Sequence, residues 1–424
     1  MIQGGLRLSR IPQWTLPLGY TLASIALGFA LPRMEHVIAP EMDLGIAPGS
    51  ALTVLSAIAS GMMGLTAIVF AIAFVMVQFS AVTYSPRVAL RFARDPMVFH
   101  SLGVFFATFT YALVAAAWVD RDGSGRVPAL SWLLAICLLF CSLIIFAGLV
   151  QRLQGMQITS TLQGLGESGR KVIEETFRPG GRPAVRPGGR RLAGAPVIQL
   201  LRHEGAPRYV QRLDKRDLIA LATGADALIV MACTVGDTLA DGAVMLRVRG
   251  AGAPIREEAL RRAVRLGPER TMEQDPKYPI RMLVDIAIKA LSPAINDPTT
   301  AVQAIDQIED LLRRLARIQI EDGAETDAQG TLRLLVPMPS WDDHLSLAFD
   351  EIPTFGATSV QVLRRLRAAL VGLLEALGDD PRAGAVQAYL RHMDAMIQAS
   401  AFDSLDRHRA AQLDPQGLGS TRDG

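Results

Sequence analysis

The residues best suited to chemistry fall between Arg270 and Pro298, in RTMEQDPKYPIRMLVDIAIKALSPAINDP. Arg270, Thr271, Arg281 and Asp297 form a candidate anion site. Two guanidiniums and a hydroxyl at the N-terminus of a helix opening at Pro298 would meet free backbone N–H groups, which attract phosphate-sized anions. Asp275, Asp285, Lys289 and Asn296 read instead as a structural polar network, because buried charges must be paired. Both readings stay open. Asp275, Asp285 and Asp297 are of the type that holds Mg²⁺, but no spacing singles out a metal triad. The six histidines, His36, His100, His203, His344, His392 and His408, are scattered and suggest no Ser/His/Asp arrangement. No catalytic residue, metal or cofactor is therefore assigned, and an enzyme is not the expectation.

The elements that must position these groups read as helix, break, helix. Arg281, Asp285 and Lys289 stand four apart, so they share one helical face and alternate in sign. Ser292-Pro293 interrupts the helix, since proline disfavours helical geometry in the residue before it. Asp297 is a good N-cap, and Pro298 suits the first helical position.

The chain has 424 residues, half of them hydrophobic, with a formal net charge of +2. That charge makes no electrostatic case for nucleic acid. The first third carries four apolar runs, each near or above the ~18 residues a bilayer span requires. They are Trp14 to Leu31, Ala51 to Phe79, Val98 to Val119 and Pro128 to Val150. Lysine occurs only at Lys171, Lys215, Lys277 and Lys289. Cys137, Cys141 and Cys233 form no CxxC or Cys/His cluster and read as packing cysteines. The expected fold is a membrane α-helical domain of four transmembrane helices plus a cytosolic α+β domain with a small β-unit and a helical C-terminal part.

The second run would be ~43 Å long as a helix, against a hydrocarbon core of ~30 Å. Thr53, Ser56, Ser60 and Gly64 line one side of it, continued by Ala67 and Ala71. Such a stripe serves close helix packing or faces a pore in a homo-oligomer. The central turns of the spans hold no charged residue, which argues against an ion-coupled carrier. Arg7 and Arg10, then Arg87, Arg91 and Arg94, then Arg152 alternate with the acidic segment of Glu35, Glu41 and Asp43. By the positive-inside rule, the N-terminus and the C-terminal domain are cytoplasmic and the protein sits in a bacterial inner membrane. Ser85-Pro86 opens a short segment whose arginines suit lipid headgroups.

Beyond the four-helix domain, 1–150, residues 151–177 read as a helical extension of the fourth span and 178–195 as an Arg/Gly/Pro-rich linker. Residues 196–255 read as a small β-rich unit, 256–413 as mostly helical, and 414–424 as a disordered tail. Turns at Gly236-Asp237 and Asp241-Gly242 resemble half of a biotinyl-type barrel-sandwich, but no lysine stands at a hairpin tip to carry a cofactor.

The stretch from Glu269 to Ala301 also carries a family resemblance. Glu269-Arg270-Thr271, Gln274-Asp275, Leu283-Val284-Asp285, Ser292-Pro293 and Asn296-Asp297-Pro298 are its specific residues. Ser85-Pro86-Arg87, Gly236-Asp237, Ala348-Phe349-Asp350-Glu351-Ile352 and Gly356-Ala357 extend it. The chain resembles the bacterial membrane proteins grouped as domain of unknown function 2254. The resemblance implies an integral membrane location and leaves the activity open. Two functions are weighed: a homo-oligomeric channel with a cytosolic regulatory domain, and a non-conducting sensor or scaffold that binds an anionic small molecule or a protein partner.

Overall fold

The computed structural model describes residues 15–38, 42, 44–83, 96–121, 123, 125–154, 158–177, 185, 190–250, 252–320 and 323–418. Contacts divide the chain into two units, Met1–Gln157 and Ile158–Gly424.

In the first unit, four helices are long and apolar enough to cross a membrane: α1 (Thr15–Ile38), α2 (Pro48–Thr83), α3 (Pro96–Ala116) and α4 (Ala129–Gln154). The helix α1 runs past the expected end at Leu31 and contains Pro32. With 36 residues, α2 is ~54 Å long, so it exceeds the hydrocarbon core by more than its apolar run predicts. Small and hydroxyl residues let the helices approach closely. Ser24 bonds Thr110 at 2.6 Å between α1 and α3, and Thr108 bonds Ser142 at 2.9 Å between α3 and α4. A Cβ on Gly28 would lie 2.8 Å from Val114. One side of α2, with Ala51, Leu55, Ile58 and Met62, packs into a core with Phe105, Tyr111 and Leu149.

The second unit begins with α5 (Ile158–Thr176). Its Gly166 and Gly169 pack against Gln307 and Leu311, and Arg170 pairs with Asp310 at 3.0 Å. An apolar stripe through Leu162, Leu165, Val172 and Ile173 is buried there. Most of the arginine-glycine stretch after Phe177 lies outside the described residues, as does the Ser85 to Arg94 segment.

The β-structure departs from the expected 196–255 boundary. Strands β1 (Val197–Arg202), β2 (Arg208–Leu213), β3 (Leu228–Met231), β4 (Thr238–Leu239) and β5 (Val244–Arg249) are joined by β6 (Val264–Gly267), β7 (Ala324–Thr326) and β8 (Leu332–Leu335). Helices α6 (Lys215–Gly224) and α7 (Glu257–Ala263) intervene. One sheet has the order β1-β5-β3-β8-β7, the other β4-β2-β6. The strand β8 runs parallel to β3, with Ile229 opposite Leu334 and Val230 opposite Leu335. Without it the apolar β3 would be an open edge, so the sheet recruits a strand ~100 residues downstream. Residues 264–266, within the stretch expected to be mostly helical, pair with β2. Leu201, Val210, Leu218, Met231, Leu246 and Leu334 fill the core between these elements. Cys233 lies there too; burial pushes its thiol up to about 12, which fits a packing role.

The rest is helical: α8 (Lys277–Ala290), α9 (Pro298–Ala316), α10 (Trp341–Phe349), α11 (Ile352–Phe355), α12 (Val360–Leu377), α13 (Ala383–Ala399) and α14 (Ser404–Ala410). The expected disordered tail docks in its first residues. Asp414 is buried, Gln361 donates to the Gly417 carbonyl at 2.8 Å, and Gly417 sits against Val302.

Candidate functional site

The helix α8 begins at a buried carboxylate. Asp275 accepts from the N–H of Lys277, the first residue of α8, at 3.0 Å. It is 2 % exposed and lies against Gly236. Gly236 has φ +92° and no room for a Cβ, so both backbone and packing require glycine there. Burial pushes the Asp275 carboxyl above its ordinary range, against the opposing pull of Lys277 and Arg270.

One turn on, Arg281 is fully engaged. Its Nε donates to Asp285 at 2.6 Å, and Nη1 and Nη2 donate to the two Glu351 oxygens at 2.8 and 3.0 Å. The guanidinium fork holds Glu351 below the usual carboxylate range. On α10, Ser340 and Asp343 form a capping box, with Asp343 N–H to Ser340 Oγ at 3.1 Å and Ser340 N–H to Asp343 Oδ2 at 2.7 Å. These bonds hold the Asp343 carboxyl down, with a smaller contribution from Lys277. Asp350 accepts from the Tyr389 hydroxyl.

Together these residues line a groove of about 300 Å³, with Arg270, Lys277 and Arg281 meeting Asp343, Asp350 and Glu351. The acids are all committed to the partners just named. Arg270 lies over the Tyr209 ring, 5.5 Å from its centroid. Among the described residues, neither Arg270 nor Lys277 forms an ion pair. The groove therefore contains, among the described residues, two cations without an ion-pair partner, and each of its acids is hydrogen-bonded.

Arg270 and Arg281 thus meet in one place, but Asp297 lies elsewhere. Asp297 N–H donates to the Ala290 carbonyl at 2.8 Å, which fixes it at the far end of α8. Nine residues separate Arg281 from Ala290, about 14 Å of helix. The Asp297 carboxylate is occupied by its own helix, accepting from Thr300 N at 3.0 Å and Thr300 Oγ1 at 2.6 Å. Thr271 turns to the Gln211 carbonyl at 3.4 Å. The expected cluster of Arg270, Thr271 and Arg281 around the Pro298 helix does not form, because a four-turn helix holds its two ends apart. The expected network is divided in the same way. Asp275 bonds the first N–H of α8, Asp285 pairs with Arg281, and Lys289 and Asn296 belong to the other end. Asn296 has φ +50°, the left-handed turn that joins the two helices.

Lys277 is a groove residue outside the sequence-based candidates, and its place among only four lysines is the one signal for it. Asp343, Asp350 and Glu351 arrive from more than 60 residues away, and local spacing carries no trace of their convergence. Among the described residues no group of acids, histidines or cysteines is arranged to hold a metal.

In the membrane unit, Thr53, Ser56, Ser60 and Gly64 are all exposed. A Cβ added at Gly61 or Gly64 would meet nothing within 4 Å. Thr53 Oγ1 satisfies itself on the Gly49 carbonyl at 2.7 Å. Met63, Ile68 and Phe70, all more than half exposed, flank the stripe.

A family profile described as "Predicted membrane protein (DUF2254)" matches residues 11–371. Uncharacterised proteins of Mycobacterium bovis and Mycobacterium tuberculosis are 26% identical over 412 residues, covering 93% of this chain and 78% of each relative. No solved structure gives a significant match. The four apolar helices, the α+β unit behind them and the profile match across most of the chain agree, and the protein belongs to the DUF2254 family of predicted membrane proteins.

Proposed function

We propose that this membrane protein is a sensor whose C-terminal unit binds a small phosphorylated anion in the groove beside α8. The observation that carries the reading is a pair of cations, Arg270 and Lys277, that form no ion pair among the described residues, in a groove whose acids are hydrogen-bonded to Ser340, Tyr389 and Arg281. An anion there gains charge-assisted hydrogen bonds without breaking an existing ion pair. Arg281 acts as the brace that sets the groove wall. A thermal-shift series on the detergent-purified full chain, with phosphate, pyrophosphate and adenine nucleotides, tests this. Stabilisation by at least one of them is expected; no shift with any of them overturns the reading.

A second reading, a homo-oligomer enclosing a pore, is favoured by the exposed stripe of Thr53, Ser56, Ser60 and Gly64. Small residues flanked by bulky apolar ones form a surface onto which another helix can pack. Single cysteines at Ser56 and Ser60 should cross-link copies in the membrane, and reconstituted protein should conduct. Conductance absent under every ligand and tension condition counts against the pore, and failure to cross-link counts against the oligomer. In either reading the arginine bias of Arg7, Arg10, Arg87, Arg91, Arg94 and Arg152 supports a bacterial inner membrane with the C-terminal unit in the cytoplasm.

A further inference from the structure

At the end of the membrane unit where α1 and α3 finish, two arginines share one indole. The Arg33 Cζ lies 5.0 Å from the Trp118 ring centroid, and the Arg121 Cζ lies 4.3 Å from it. Phe29 meets the same ring edge-on at 6.5 Å and holds it in place. The shared ring keeps the two guanidiniums within about 10 Å of each other. Both side chains are exposed, and among the described residues neither forms an ion pair. Among the described residues, the nearby acids Asp120 and Glu35 do not pair with them. Asp120 accepts from the Gly125 N–H at 2.7 Å, and Glu35 is turned into the unit with its Oε2 unpartnered. Arg33 spends one donor, Nη1, on the Phe29 carbonyl at 3.0 Å.

We propose that Arg33, Trp118 and Arg121 bind the phosphate of an anionic phospholipid. Two like charges drawn to one ring repel each other, and an anion bound beside them offsets that repulsion. Each guanidinium still offers donors in the planar fork that matches phosphate oxygens. Tryptophan at the end of a membrane helix sits at headgroup level. The apolar surface below selects a lipid over free phosphate. Leu18, Leu22 and Phe29 are 51 %, 59 % and 45 % exposed, and with Arg33 they fall on one face of α1. That face gives an acyl chain a continuous track leading away from the phosphate.

The full chain purified in detergent with added phosphatidylglycerol, and examined by native mass spectrometry, tests the assignment. The wild type should retain at least fivefold more of this lipid than the R33Q/R121Q variant. It should also prefer phosphatidylglycerol to phosphatidylcholine, and millimolar inorganic phosphate should not displace the lipid. The R33K/R121K variant keeps the charge and guards against a folding defect. With an unchanged elution profile, it should retain less than half of the wild-type amount, since lysine cannot fork. Equal retention by the wild type and both variants overturns the proposal. Displacement by inorganic phosphate overturns the lipid assignment.

Discussion

Arg281 and Glu351, 70 residues apart, meet through two parallel hydrogen bonds of 2.8 and 3.0 Å. This fork ties the middle of α8 to the residue that opens α11, and it forms one wall of the groove. Its pH dependence follows from the depressed Glu351 carboxyl. A carboxylate depressed in the folded state contributes stability above its unfolded value, ~4.3, which is lost as pH falls through the lower folded value. Glu351→Gln should therefore melt below the wild type at pH 7, with the gap closing as the pH drops below ~4. Glu351 is half exposed, so the gap should be modest, under ~1 kcal/mol. A gap that widens in acid would contradict the pairing.

Asp275 should show the opposite sign. Burial raises its carboxyl. A raised group contributes stability below its unfolded value that is lost as pH rises through the folded one. Asp275→Asn keeps an acceptor for the Lys277 N–H and carries no charge. Its stability relative to wild type should improve between pH ~4 and 7. Melting curves at both ends of that range check this, and a relative loss on raising the pH would contradict it.

Gly236 is the partner of that carboxylate. Gly236→Ala puts a Cβ into the Asp275 oxygen at a backbone angle of φ +92°. The expected cost is about 1–3 kcal/mol from the backbone alone, more with the overlap. A melting temperature within a degree of wild type would mean that the turn and the carboxylate are not in contact.

The helix junction separates capping from ligand binding. Asp297→Ala removes the cap of a 19-residue helix and should cost about 1 kcal/mol. Asn296→Gly, at φ +50°, should be nearly neutral, whereas a β-branched residue there should cost about 1–2 kcal/mol. Thermal unfolding of the three variants gives the ranking, and a stable Asn296→Val protein would contradict the left-handed turn.

Local rules made much of this architecture legible. The four apolar runs and the Asp297-Pro298 helix start emerge from spacing and turn chemistry, and each stands in the structure. The reading failed where distance along the chain decides. The pairing of β3 with β8 and the Arg281–Glu351 fork join residues that no local pattern relates. Val264 to Leu266 follows the helical run of α7 without a break, and only the edge of β2 makes it a strand. For the site, the sequence identified the right helix but could not show that its two ends face different neighbours. Arg270, Lys277 and Arg281 line the groove toward the start of α8, whereas Asp297 lies beyond its end.

The central claim, that Arg270 and Lys277 bind an anion while Asp297 serves only as a cap, is tested most directly by calorimetric titration of pyrophosphate. The full chain, its R270Q/K277Q variant and its Asp297→Ala variant would each be titrated in detergent. The account predicts binding to the wild type, at least tenfold weaker binding to R270Q/K277Q, and unchanged affinity in Asp297→Ala. Equal affinity in wild type and R270Q/K277Q, or loss of binding on removing Asp297 alone, would contradict it.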